Sequence, residues 1–265
     1  MVERISFEDK SFFGGYSNHI QRYVFAQPFC LNRSVIDAGC GTGYGTWFLA
    51  IHSTGSIVGV DVSDEALAEA SRLYRRDNLR FVKGDVERLT EIPDLLGPFD
   101  VVVNLENLEH LKNPIRFLEQ ARKILTEEGT LVVSTPNGEI TERDEHGNIK
   151  NQFHVREFAE DEFRDMLRQI FGSVELFGQW KTPECIARLE FETRLFETLC
   201  ELYYGPGARL WRKIRGVLGK KCARPPEFTG AGVSFSREFT IEPLASRPFP
   251  WPPDVILAVC RPRPQ

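Results

Sequence analysis

The sequence predicts an α/β fold, a mostly parallel sheet with helices between its strands. Three observations carry this. From about residue 34 to 180, short β-branched runs alternate with stretches of helical periodicity, the pattern of βαβ units. The run 99–104 is almost wholly apolar after Asp100, as a central strand covered on both faces must be. The first run ends in an acid and a glycine-dense turn that leads straight into a helix. Such a helix N-terminus offers free backbone N–H groups to an anionic ligand.

The elements follow in order. Residues 1–33 read as an N-terminal helical cap. Within 16–26, His19, Arg22 and Tyr23 fall on roughly one helical face, and Ile20, Val24 and Phe25 are placed to pack inward. The α/β domain spans 34–179, with strands at 34–37, 56–61, 79–83, 99–104, 130–134 and 173–179. Ser63 is the N-cap of a helix over 64–76, which carries acids in its first turn and bases in its last. Asn113-Pro114 opens another helix: a cap residue, then proline at the first helical position. Its apolar residues Ile115, Leu118, Ala121 and Leu125 recur at helical spacing, and Gly129 stops it. A further helix covers 159–170.

The alternation breaks after Trp180. Residues 180–252 read as a helical and loop insertion, a lid placed before the last strand. It comprises a helical stretch over 184–204, a short basic amphipathic stretch over 209–221 and a loop over 225–236. Residues 253–265 supply the final buried strand (254–260) and a tail. The basic stretch has two readings: a lid helix with solvated charges, or a surface that touches an anionic membrane.

Bulk composition narrows the function classes. The 265 residues, 42% of them hydrophobic, suffice for one large core or a core plus a lid. The net charge of -5 argues against a nucleic acid partner, because phosphate binding needs a basic footprint. The six cysteines form no C-x-x-C, so neither a zinc site nor a redox motif is indicated. Reduced, buried thiols in a cytoplasmic protein are expected. Residues 1–10 carry charges and no apolar core, unlike a signal peptide, and no apolar run reaches membrane-spanning length.

The strongest motif is Asp37-x-Gly39-x-Gly41-x-Gly43, followed by the helix that holds Trp47 and Leu49. It fits no G-x-G-x-x-G frame. Counted from Gly39, Gly41 and Gly43, the sixth positions are Tyr44, Thr46 and Phe48. Asp61 closes the second strand, where an acid can accept both hydroxyl protons of a ribose. Asp85, in Gly84-Asp85-Val86, follows the third. A single strand-end aspartate is usually a turn or cap residue; three at the ends of successive strands are a pattern.

These residues resemble the motifs of class I S-adenosylmethionine (SAM)-dependent methyltransferases. The resemblance implies a Rossmann-like, seven-stranded sheet and SAM as cofactor. It implies that the glycine loop cradles the amino-acid end, with Asp37 near the ammonium, Asp61 on the ribose and Asp85 at the adenine amino group. Val62, Val86, Asn104 and Leu105 complete the implied cofactor set.

After the fourth strand, Glu106, Glu109 and His110 have E-x-x-E-H spacing. On a helical turn these positions share a face, and two carboxylates with an imidazole suit Mg²⁺ or Mn²⁺. The segment resembles that of ubiquinone-pathway O-methyltransferases and of small-RNA 3′-terminal 2′-O-methyltransferases. The second family implies a further ligand, here His154. Two readings stay open: a metal held by Glu106, Glu109, His110 and His154, or metal-free chemistry with His110 or His154 as general base beside Glu106. The run Phe153-His154-Val155-Arg156-Glu157-Phe158 and the N-terminal stretch look like bacterial glycan-associated methyltransferases. That implies a glycan or small polyhydroxy acceptor, lipid-linked if the basic stretch meets a membrane. RNA 2′-O-methylation and a non-catalytic SAM-binding regulator are the alternatives. The Asn-Pro-Pro-Tyr or Asp-Pro-Pro-Tyr run of amide and base N-methyltransferases does not follow the fourth strand, which favours oxygen as the acceptor atom.

Overall fold

A computed structural model describes residues 12–95, 97–186 and 239–263, with side chains from Asn18 onward. Most of the expected 184–204 helix, all of the basic 209–221 stretch and the 225–236 loop lie outside the described residues. The chain divides into two units. Residues 1–180 with 241–265 form the first, and 181–240 form the second. Of the second unit, 181–186 and 239–240 are described; there the Cys185 N–H donates to Thr182 Oγ1 at 3.2 Å.

The strands are β1 (Val35–Ala38), β2 (Ile57–Asp61), β3 (Leu79–Lys83), β4 (Phe99–Leu105), β5 (Leu125–Pro136), β6 (Ser173–Lys181), β7 (Phe239–Pro243) and β8 (Val255–Arg261). They form one sheet in the order β3-β2-β1-β4-β5-β8-β6-β7. β1 to β5 pair in parallel, and β8 runs antiparallel between β5 and β6. The α/β expectation therefore holds, with one strand more than the seven expected. The extra strand is β7, which falls in the stretch read as insertion. It is only five residues long and ends in proline, so it gives little periodic signal.

The central strands are buried because they are apolar on both faces. Val101, Val102 and Val103 have no exposed surface, nor do Val35 and Ile36. Each such side chain contributes about 1.5–3 kcal/mol through burial. The helices are α1 (Phe12–Cys30), α2 (Tyr44–Ile51), α3 (Asp64–Leu73), α4 (Pro114–Ile124) and α5 (Glu160–Ile170). Ser63 caps α3, its hydroxyl accepting from Ala66 N–H at 3.2 Å. Asn113 caps α4 by accepting from Arg116 N–H at 3.0 Å.

Three local expectations need correction. The face of α4 is set by Phe117, Leu118, Ala121 and Ile124, and Ile115 is 45% exposed. Leu125 is no longer helical but opens β5, and Gly129 lies inside that strand rather than stopping the helix. The register with β4 demands this, since Leu125 already pairs with Phe99. In α1, Val24 faces outward at 41% exposure, whereas Arg22 and Tyr23 are buried.

Strand order reverses at β1, whose neighbours β2 and β4 lead the chain away in opposite directions. Ligands of open parallel sheets bind beyond the carboxyl ends of the strands at such a point. The glycine loop after β1 and the turn after β4 meet there.

Candidate cofactor and acceptor site

The loop after β1 takes its shape from three glycines in the left-handed region, Gly39 (φ 79°), Gly41 (φ 53°) and Gly43 (φ 81°). A Cβ on Gly39 would lie 2.4 Å from Asn107 Cγ, and one on Gly43 2.7 Å from the Ala70 methyl. At Gly41 nothing stands within 4 Å, so the loop is open on that side. Gly43 is the N-cap of α2 and has no side chain to close the helix end.

Asp37 lies beneath this loop rather than on its open face, and is 1% exposed. One carboxylate oxygen accepts from Thr46 Oγ1 at 2.6 Å, and Tyr23 OH donates to the pair at 3.2 and 3.3 Å. Burial nevertheless dominates, pushing the carboxyl up to about 7 against the pull of those two hydroxyls. Burial and the neighbouring Asp37 also push the Tyr23 phenol well up.

Asp61 ties β2 to the loop. Its oxygens accept from the Gly41 and Ser63 N–H groups, each at 2.9 Å. Val62 beyond it is 63% exposed. Asp85 is exposed and accepts from Glu87 N–H at 2.9 Å, while Val86 is buried in the core. Asn104 has no exposed surface; its Nδ2 donates to the Ala38 carbonyl at 2.8 Å and its Oδ1 has no partner. Asn107 Nδ2 is also buried without a partner.

A cavity of about 210 Å³ opens beside the loop. Gly39, Gly41, Leu105, Glu106, Glu109, His110 and His154 all line it. Asp37, Asp61, Val62, Asp85, Val86 and Asn104 are not among its lining residues.

Glu109, His110 and His154 converge, with one donor atom from each lying within 4.8 Å of the others. Glu106 stands apart from this group. The expectation of one shared helical face fails because Glu106 has φ 51° and the helical turn begins only at Leu108. Its carboxylate accepts from Ser134 Oγ at 3.0 Å and faces Arg22 Nη2 at 3.6 Å. Glu109 is 1% exposed and accepts from Thr135 Oγ1 at 3.2 Å. Burial, then the Glu106 charge, pushes its carboxyl well up.

The two imidazoles are oriented from behind. His110 Nδ1 lies 3.0 Å from the Phe153 carbonyl, which fixes that nitrogen as the donor. His154 Nδ1 bonds the Glu157 carboxylate, and its Nε2 lies 3.0 Å from Asn151 Nδ2. His110 thus keeps Nε2 bare, the tautomer that suits a base or a metal ligand, whereas His154 is held at both nitrogens. The ring centroids are 5.0 Å apart. Sequence reasoning did not single out Thr46, Asn107, Ser134, Thr135, Asn151 or Glu157. Only Glu157, three residues from His154, carried a spacing signal.

The comparisons with known proteins show the family and the fold. A family profile described as a methyltransferase domain matches residues 32–181, more than half of the chain. A relative in Mycobacterium tuberculosis, the probable S-adenosylmethionine-dependent methyltransferase Rv3030, is 34% identical over 169 residues, covering 63% of this chain and 59% of that protein. The tRNA U34 carboxymethyltransferase of Aeromonas salmonicida is 30% identical over 135 residues, covering 46% of this chain and 40% of that protein. The chain thus spans somewhat over half the length of the mycobacterial relative. Among solved structures, the [4+2]-cyclase SpnF aligns with a TM-score of 0.55 at 15% identity, covering 100% of this chain and 89% of that one. A possible histamine N-methyltransferase from Thermotoga maritima aligns at 0.53 and 15%, covering 96% and 97%. At that identity the two show the fold alone. By its glycine loop, its sheet and its matched profile, the chain belongs to the methyltransferase-domain family, whose cofactor is S-adenosylmethionine.

Proposed function

We propose that this chain transfers a methyl group from SAM to a hydroxyl of a sugar or small polyhydroxy molecule. One observation carries the reading: Glu109, His110 and His154 converge in the cavity that the glycine loop also lines. A chain that only bound the cofactor would have no use for two oriented imidazoles there.

The residues fit the cofactor. The loop is open at Gly41, and the buried Asn104 Oδ1 and Asn107 Nδ2 lack partners inside the protein. The positive N-terminal end of α2 favours the cofactor's carboxylate, Asp61 takes the ribose hydroxyls, and Asp85 with Val62 stands at the adenine end. When bound, SAM supplies an electrophilic methyl group. His110 then accepts the acceptor's hydroxyl proton at Nε2, the nitrogen that its bond to the Phe153 carbonyl leaves bare. His154, held by Glu157 and Asn151, packs edge-on against the His110 ring and keeps it in place. Most of the rate gain comes from holding the oxygen in line with the methyl group.

The same three donors fit a divalent cation. With two of three being imidazole nitrogens, Mn²⁺ suits them better than Mg²⁺. A cation there would lower the hydroxyl's pKa and leave His110 as ligand rather than base. The test is methyl transfer to a panel of sugars and polyols, run in chelator and with Mn²⁺ added back. Turnover in chelator supports the base reading; turnover only with Mn²⁺ supports the metal. The 30% identity to a tRNA-modifying enzyme favours an RNA acceptor as a second reading, which the net charge of -5 opposes. Transfer to total tRNA, with none to the panel, would replace the sugar reading.

A further inference from the structure

We propose that a second cavity, against the 139–150 loop, seats the part of the acceptor remote from the reacting oxygen. It admits the hydroxyls or amines of a sugar and rejects phosphorylated groups. The proposal rests on the hydroxyl-methylation reading above, and its test separates the two.

After β5 the chain leaves the sheet and folds back on itself over 139–150. The root of this loop is fixed: Asn137 N–H donates to the Asp254 carbonyl and Asn137 Nδ2 to the Pro253 carbonyl, each at 3.0 Å. Its tip is closed by Asp144, whose carboxylate accepts from the His146 and Asn148 N–H groups at 2.9 and 2.8 Å. Arg143 and Ile149 bridge its two arms. Lys150 bonds Glu142 twice, N–H to carbonyl at 3.0 Å and Nζ to carboxylate at 2.9 Å. These bonds give the loop a shape of its own, and a cavity of about 330 Å³ lies against it, the size of a small-molecule site.

This cavity adjoins the first. Asn151 lines both, and the bonded pair His154 and Glu157 stands between them, His154 on the first and Glu157 on the second. An acceptor seated in the second reaches past Asn151 towards His110. The walls decide what fits. Glu142, Glu157 and Asp254 bring three carboxylates, and Lys150, the cation among the lining residues, is paired with Glu142. An ionised carboxylate accepts several hydrogen bonds and donates none, so the wall suits a ligand with protons to give. Sugar hydroxyls have them, and a sugar amine adds a favourable charge. A phosphate ester brings negative charge to a wall that is already net negative, and is repelled. Ile140 and Ile149 supply apolar surface for the ring carbons.

Methyl transfer from SAM to the panel sugars and to their phosphate esters tests this. Wild-type kcat/KM should be at least about tenfold higher for a parent sugar than for its phosphate ester. Thr141→Trp puts an indole into the cavity and should raise the acceptor KM at least about tenfold, while S-adenosylhomocysteine affinity by calorimetry shifts less than about twofold. Glu142 is 79% exposed, so Glu142→Lys spares the core while it balances the lining charge. It should narrow the preference against phosphate esters about threefold or more at low salt, and less at high salt. This variant decides the matter if the tryptophan one fails to fold. An unchanged acceptor KM in Thr141→Trp, no narrowing in Glu142→Lys, or wild-type use of the esters as good as of the parents would overturn the proposal and leave hydroxyl methylation standing. No transfer to any panel sugar by protein that binds S-adenosylhomocysteine would overturn that reading, and the proposal with it.

Discussion

Asp37→Asn should stabilise the cofactor-free protein at neutral pH and remove a pH-dependence from its folding. The carboxyl is 1% exposed, and burial raises it from 3.8 to about 7. A raised acid favours folding in its protonated form. Its contribution is complete below the ordinary carboxylate pKa and is lost as pH climbs through about 7. Three pKa units at about 1.4 kcal/mol each give about 4 kcal/mol lost between pH 4 and pH 7. The variant's amide keeps an oxygen for Thr46, and the Tyr23 hydroxyl can turn to accept from its NH₂. The local bonds should therefore change by less than about 1 kcal/mol. Urea unfolding of both proteins from about pH 4 to pH 8 reads the effect as a difference between them. That difference should grow with pH, the variant becoming the more stable, and level off above about pH 7. A difference that stays flat would mean that Asp37 is ionised in the folded protein throughout, and the burial argument would fail.

Other perturbations have simpler readouts. Gly45→Ala drives a methyl into the Tyr23 ring, 1.9 Å from Cζ, and should cost about 1–3 kcal/mol in urea unfolding while loosening α1 from the loop. No loss of stability would place α1 elsewhere. Ser63→Ala removes the cap of α3 and should cost about 1 kcal/mol; an unchanged midpoint would contradict the cap. Glu157→Gln takes the anionic partner from His154 and should lower the rate of methyl transfer about 10- to 100-fold with cofactor affinity unchanged. A full rate would remove Glu157 from the site.

Much of the fold was legible because the signals were local. The all-apolar β4, the glycine loop and the caps at Ser63 and Asn113 each follow from a few adjacent residues, and each formed as expected. The errors arose where distant partners decide. The pattern of α1 places Val24 inward, yet the helix turns its polar side to the sheet, because Asp37, Gln179 and Glu106 wait there for Tyr23 and Arg22. Glu106 read as a helical neighbour of Glu109, but β4 continues through Leu105 and the left-handed φ at Glu106 turns its side chain to Ser134. Asn151 and Ser134 gave no sign of a role, since hydrogen bonds to His154 and Glu106 depend on how loops and strands meet.

The account depends most on the cradle formed by the glycine loop and Asp61. Titrating the purified protein with SAM in a calorimeter tests it directly. One molecule should bind per chain, and Asp61→Ala, which removes the ribose acceptor and frees the Gly41 N–H, should weaken binding at least about tenfold. No heat with the wild-type protein, or equal affinity in the variant, would contradict it.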